Sequence, residues 1–563
     1  MTEPTSTPRP TTRADAITML TAAGQRYELA TVSVHGTPQR WFVHGPASLR
    51  AMYADAVSDE TFTVFGDERR TFAEHWSDAA RIGRVLVDTY GIAPGDRVAI
   101  SMRNYPEWMT AFVAITSVGA IAVAMNSLWQ PDEMAYALVD SGARVLLADQ
   151  ERVDRFEQQP VDGVDVIAVR PDRTVGRPVL DDLVAAVSDA TMPEASPALD
   201  DPATMFYTSG STGHPKGVLS THRNILAALL SWELDARIMR VLATTDAIRP
   251  DAQPAALLGI PLFHVTGCHA CFLQSYRAQR KLVSMYKWDA ELAAELIERE
   301  RVSTFLAPPA LTGDLVRVAR TSSRDLSSLR LIGGGGAARP PEQVAAIGST
   351  FRKAGPNTGW GMTETNAIGA GISEGDYLER PSSSGRASAV LELRVVDDHD
   401  VAVPTGARGE LQVRGTSVFG GYWNRPDADA EVFVDGWFRT GDVAYLDDEG
   451  YVFIVDRIKD LIIRGGENIG CGAVEAALAL HPKVHEAAVY SVPDERLGEE
   501  VGATVYADAD LDPEELRAFA RTHLAAFEVP RYVRCSSEPL PRIASGKIFK
   551  RQLRTDAIAE LGL

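Results

Sequence analysis

Residues 205 to 217 read Met-Phe-Tyr-Thr-Ser-Gly-Ser-Thr-Gly-His-Pro-Lys-Gly. Four hydroxyls, on Thr208, Ser209, Ser211 and Thr212, stand among Gly210, Gly213 and Gly217, with Lys216 near the end. Glycine lets backbone N–H groups turn toward a ligand and hydroxyls add donors. A lysine adds a compact positive charge suited to phosphate. The apolar run from Ala203 to Tyr207 reads as a strand feeding a loop, so the chemistry expected here is a triphosphate grip at a strand end. A Walker A loop is excluded, because Lys216 is followed by Gly217 and Val218 where that motif needs Ser or Thr. A flexible Ser/Gly linker is disfavoured, since Val218 and Leu219 resume an apolar pattern at once.

Five further segments follow in order: Pro261-Leu-Phe-His264-Val-Thr-Gly267, Gly359-Trp-Gly-Met-Thr-Glu-Thr365, Trp437-Phe-Arg-Thr-Gly-Asp442, Asp456 through Ile469 (Asp-Arg-Ile-Lys-Asp-Leu-Ile-Ile-Arg-Gly-Gly-Glu-Asn-Ile), and Pro541-Arg-Ile-Ala-Ser-Gly-Lys547. With the first loop, this set resembles the motifs of the adenylate-forming superfamily: acyl-CoA synthetases, firefly-type luciferases and the adenylation domains of peptide synthetases. The resemblance spans residues 205 to 547, and six motifs in family order are highly specific.

What the resemblance implies is an enzyme that joins a carboxylic acid to AMP using ATP and Mg2+, then passes the acyl group to coenzyme A. A carboxylate acylates poorly until it is coupled to a good leaving group, and the coupling step needs a cation at the reacting oxygens. Carried over residue by residue, the loop from Thr208 to Gly213 and Lys216 would hold phosphates, with Thr208 also assisting catalysis. Trp360 and Gly361 would meet adenine, Thr363 a phosphate, and Glu364 the magnesium ion. Asp442 would accept the ribose hydroxyls, with Arg457 as a further ribose contact. Lys547 would reach the carboxylate and α-phosphate as the catalytic lysine, Lys459 would be a hinge, and Gly465 and Gly466 would line a tunnel for the coenzyme A thiol. His264 would gate the acid pocket. Amino-acid-activating relatives place Asp after Phe there, so Phe263-His264 argues against a free amino acid. The wall segments Gly333 to Ala338 and Ala367 to Gly371 are small. Vacated volume at Gly333, Gly334, Gly335 and Gly369 would favour a hydrophobic acid, and tight loop packing explains the same glycines equally well. Gly470-Cys471-Gly472 departs from the Tyr-Pro that many relatives carry, which affects local detail of the tunnel. An alternative with the same chemistry loads a separate carrier protein instead of free coenzyme A. Sixteen residues follow Lys547, too few for a fused carrier domain.

A chain of 563 residues, 45% hydrophobic and 23% charged, has ordinary globular composition and length for more than one domain. Its net charge of −20 argues against nucleic acid as a partner. It also requires positive charge to be concentrated locally for polyanionic substrates. No apolar run approaches the ~18 residues of a spanning helix, and four cysteines make no disulfide framework, so a cytoplasmic protein is expected. Cys268-His-Ala-Cys271 lacks a second ligand pair and reads as buried thiols, not a metal site. The oligomer is not fixed, and a homodimer is left open.

These elements must be positioned by an α/β fold. Strand and helix patterns alternate from Arg97 to Ala148 and again from Leu257 to Ile332, which calls for parallel sheets with helices on both faces. Shorter alternating strands beyond residue 390 read as a small β-barrel-like subdomain. A disordered tail (1–13), a large N-terminal domain of doubly wound sheets (14–458) and a small, mobile α+β domain (459–563) complete the expectation. Within that last domain the pattern gives a hairpin, two helices and a strand.

Overall fold

A computed structural model describes residues 10–34, 36–208, 215–242, 252–336, 339, 341–458, 461–464, 467–542 and 547–562. The expected hinge Lys459, the tunnel glycines Gly465 and Gly466, and Ser209 to Gly213 of the phosphate loop therefore lie outside the described residues.

Among the described residues, seven strands form a first sheet in the order Gly421–Tyr422, Lys216–Thr221, Pro202–Thr208, Ile121–Ala124, Arg97–Ser101, Val145–Asp149, Asp165–Val169. The last five pair in parallel. Their near-continuous Val, Ile, Leu and Ala follow from burial on both faces. Helix Pro106–Ser117 starts on a proline at its first turn and is buried on every side, as a helix sandwiched between layers must be. Helix Pro131–Ser141 ends where Gly142 takes a φ of 61°, a conformation glycine adopts without penalty.

A second sheet begins with the parallel strands Thr61–Phe65, Lys281–Ser284, Ala255–Leu258, Thr304–Leu306, Leu331–Gly333 and Gly355–Trp360. The antiparallel strands after it are not a detached body. Gly355–Trp360 pairs with Ala370–Ser373, then Gly385–Ala387, Tyr451–Arg457 and Trp437–Leu446 in one hydrogen-bonded path. Four strand steps of ~4.8 Å would carry Trp360 some ~19 Å from Trp437–Leu446 in a flat sheet. Yet the Trp360 indole touches Asp442 at 2.7 Å. The sheet therefore curls strongly, around a small apolar interior of Ala370, Val395, Leu411, Ala444 and Val452. The barrel-like reading holds as this curl.

The C-terminal part has its own cores, built from residues between Ile462 and Ala557. Besides the hairpin Leu461–Arg464/Glu467–Gly470 it holds a long antiparallel pair, Val484–Asp494 with Gly498–Ala507. Three helices, Cys471–Ala479, Pro513–Ala520 and Lys550–Leu561, pack with it. The expectation of two helices and a strand was thus too small.

Candidate active site

The segment expected to hold phosphate is flanked by two paired strands. Thr208 and Lys216 are register partners at the facing ends of Pro202–Thr208 and Lys216–Thr221. Gly217 serves packing: a Cβ there would stand 2.8 Å from the Met205 sulfur. The Lys216 ammonium lies over the Tyr422 ring, 5.0 Å from its centre.

Glu364 sits in a short turn, Thr363–Thr365, followed by Asn366 and Ala367 at φ values of 58° and 67°. Two successive non-glycine residues in the left-handed region cost about 1–2 kcal/mol each and persist only where surroundings fix them. Here Asn366 Nδ2 donates to the Ser417 carbonyl at 2.9 Å, and the Phe419 N–H donates to the Glu364 carbonyl at 2.8 Å. Glu364 is 6% exposed, and its Oε1 accepts the Tyr422 hydroxyl at 2.9 Å. Burial pushes its carboxyl above the ordinary value, while Tyr422 and Arg457 oppose that and Asp442 adds to it. A buried carboxylate held by a neutral donor suits a divalent cation. Magnesium keeps several waters and takes one or two carboxylates plus phosphate oxygens, so one glutamate fits the need. No cluster of three ligating side chains exists among the described residues.

Asp442, 3% exposed, closes the other end. Its Oδ2 accepts the Trp360 indole N–H at 2.7 Å and its Oδ1 pairs with Arg457 Nε at 2.6 Å, the two residues being cross-strand partners. A carboxylate offers about four lone-pair positions, so ribose hydroxyls can still be accepted beside both donors. Asp442→Asn should weaken ATP binding ~10- to 100-fold, the worth of a charge-assisted pair. Titrating ATP against wild type and variant by calorimetry checks this, and equal affinities would remove Asp442 from the site.

His264 follows Phe263 at the mouth of Pro261–Gly267. Its Nε2 is buried with no hydrogen-bond partner among the described residues. Burial, and to a lesser degree the charge of Lys547, lowers its pKa to about 4. A cavity of about 170 Å³ lies beside it, lined by Pro261, Phe263, Tyr286, Trp288, Leu311 and Arg103 among others.

The glycines expected to vacate pocket volume do something else. An added Cβ would lie 2.1 Å from the Asn357 oxygen at Gly333, 2.7 Å from the Ala307 nitrogen at Gly334, 2.5 Å from the Gly359 oxygen at Gly335, and 2.3 Å from the Trp360 ring at Gly369. Neighbouring backbone and an indole fill that space, so tight packing is the correct account of these four. Gly371 alone of the wall glycines at 369 and 371 meets nothing within 4 Å. Gly333→Ala should cost ~1–3 kcal/mol as an overpacking change, without moving preference toward shorter acids. Urea denaturation and a chain-length series measure the two effects. Cys268 and Cys271 are buried, and burial pushes the Cys271 thiol up to about 12.

Tyr422 is the contact to candidate site residues that the sequence reading missed. Its signal was a pair of glycines before two aromatics, Gly420-Gly421-Tyr422-Trp423.

Residues 51–423 match the family model described as AMP-binding enzyme, and residues 473–547 match the AMP-binding enzyme C-terminal domain. The chain belongs to the AMP-binding enzyme family. Similar members include a feruloyl-CoA synthase of Amycolatopsis sp, 36% identical over 87% of this chain and 94% of that protein. Long-chain-fatty-acid–CoA ligase FadD13 of Mycobacterium tuberculosis is 33% identical over 87% of this chain and 93% of its own length. Among solved structures, o-succinylbenzoate CoA synthetase (MenE) of Bacillus subtilis, in complex with its acyl-adenylate intermediate OSB-AMP, superposes with a TM-score of 0.78. That match has 28% identity and covers 90% of this chain and 98% of that one. Residues 424–472 lie between the two matched regions. No helix among the described residues is long and apolar enough to cross a membrane.

Proposed function

We propose that this protein is an ATP-dependent, AMP-forming acid:CoA ligase acting on a hydrophobic carboxylic acid in the cytoplasm. The observation that carries the reading is Asp442 bonded to both the Trp360 indole and Arg457, with the buried Glu364 carboxylate held by the Tyr422 hydroxyl.

In the first half-reaction a carboxylate oxygen attacks the α-phosphorus of ATP and pyrophosphate leaves. Lys547 would hold the attacking oxygen and the α-phosphate together, and Lys216 would take charge on the departing phosphates. Glu364 would hold magnesium, which supplies charge neutralisation on phosphate oxygens. Asp442, with Arg457 and Trp360, would fix the ribose and adenine. In the second half-reaction the coenzyme A thiolate attacks the acyl carbon and AMP leaves. His264 is neutral at pH 7, so it adds no second positive charge beside Lys547. Feruloyl-CoA synthase and FadD13 carry aryl and long aliphatic acids in their names, and the cavity beside Phe263, with Pro261, Trp288 and Leu311 on its wall, supports a hydrophobic acid.

The test is AMP release and thioester formation across cinnamic-type acids, long-chain fatty acids, benzoates and acetate, with ATP, magnesium and coenzyme A. A hydrophobic acid should be preferred to acetate by a wide margin, since each buried methylene adds about 0.8 kcal/mol. Preference for acetate would overturn the acid class. Acyl-adenylate formation without transfer to free coenzyme A would return the carrier-protein alternative.

A further inference from the structure

Lys216, on a strand of the first sheet, and Glu364, in the turn Thr363–Thr365, carry opposite charges, yet they make no ion pair among the described residues. One side chain stands at both. The Tyr422 hydroxyl donates to Glu364 Oε1 at 2.9 Å, and its ring faces the Lys216 ammonium at 5.0 Å.

The backbone around this tyrosine is held on every side. Gly421–Tyr422 is the edge of the first sheet, with Tyr422 opposite Val218, two residues from Lys216. The Tyr422 N–H donates to Asp429 Oδ1 at 2.8 Å. Gly421 has a φ of +145°, and a Cβ there would lie 2.7 Å from the Asp429 carboxylate, so only glycine admits this clasp. The Trp423 N–H donates to the Gly217 carbonyl at 2.8 Å, and its indole donates to the Asp140 carbonyl at 3.0 Å. The ring itself packs edge-on against Phe419, whose N–H in turn holds the Glu364 carbonyl. So short and tightly bonded a strand can hold a side chain in one orientation.

We propose that Tyr422 is a positioning residue that keeps Glu364 and Lys216 apart, its hydroxyl fixing the carboxylate and its face fixing the ammonium. A hydroxyl donor leaves the second carboxylate oxygen available to a divalent cation, whereas a direct lysine contact would neutralise it. A ring face attracts the ammonium without using its N–H donors in hydrogen bonds to oxygen, so those donors stay available to phosphate. Metal and nucleotide phosphate are thereby held by adjacent groups that do not consume each other. This inference rests on the ligase reading above.

The two halves of the role separate by substitution. Tyr422→Phe removes the hydroxyl and keeps the ring, and Tyr422→Leu removes both. The readout is equilibrium binding of ATP by calorimetry, once with magnesium and once with EDTA, on the full chain. Tyr422→Phe should lose ~10-fold in affinity with magnesium, as expected for a hydrogen bond to a charged group, and bind ATP in EDTA as the wild type does. Tyr422→Leu should lose affinity under both conditions. A double-substitution cycle guards against a folding defect: in a Glu364→Gln background, Tyr422→Phe should have no further effect on binding with magnesium. Unchanged binding by Tyr422→Phe, or equal losses with and without magnesium, would overturn the proposal and leave the ligase reading standing. A wild-type protein that binds no nucleotide would overturn both.

Discussion

Replacing Lys547 by alanine should remove acyl-adenylate formation by ~10²-fold or more, the scale seen when one preorganised electrostatic group is deleted from an active site. Thioester formation from preformed acyl-adenylate and coenzyme A should continue, because the charge on the α-phosphate is needed only in the first half-reaction. The structure supplies a second readout. Lys547 depresses the His264 pKa, with burial the larger cause. The His264 resonance in an NMR titration should therefore move upward from about 4 in the variant. Pyrophosphate exchange measures the first half-reaction, and thioester yield from synthetic adenylate measures the second. Equal loss of both would sink the assignment of Lys547 to adenylation.

Acid should destabilise this protein steeply, and buried histidines are a principal cause. Burial lowers the pKa of His75 and His269 to about 3 and of His222 to about 4. Each is neutral when folded, and in the unfolded chain each takes a proton near 6.5. The stabilising contribution is complete above that unfolded value and is lost as pH falls toward the folded values. At pH 5, about 1.5 pH units below the unfolded value, each histidine costs ~2 kcal/mol, or ~6 kcal/mol for the three. Carboxyls raised by burial, such as Glu475, act in the opposite sense at lower pH. The histidine part is isolated by His75→Phe, whose site lies between the Phe62 and Tyr276 rings. Urea midpoints at pH 7, 6 and 5 should fall less steeply in this variant, by ~1.4 kcal/mol per pH unit below 6.5. Parallel slopes would show that His75 does not carry the effect.

The parts legible from sequence were those whose cause is local. Continuous apolar runs such as residues 145–148 mark strands buried on both faces, and Pro131 marks the start of its helix. The long pair Val484–Asp494/Gly498–Ala507 escaped because Pro493, Asp494 and the charged Glu499 and Glu500 resemble a loop when read alone. Their pairing is set by a partner strand and not by the residues themselves. Glycine misled for a related reason. An absent side chain looks the same whether the space is empty, as at Gly371, or filled by a carbonyl, as at Gly333. Asp442 and Glu364 were readable through their motifs, whereas Tyr422 acquires its contact only when residues 58 positions apart are brought together. The sheet curl that joins Trp360 to Asp442 was equally invisible, being a property of four strand pairings taken together.

Asp442 bonds the Trp360 indole through one oxygen and Arg457 through the other, and all three residues stand on strands of one curled sheet. These contacts are therefore part of the fold as well as of the expected nucleoside end. Ordering a rotamer-rich side chain costs ~0.5–1.5 kcal/mol, and contacts made within the fold place that cost on folding. A substitution at any one of the three is thereby felt by the other two through the shared carboxylate.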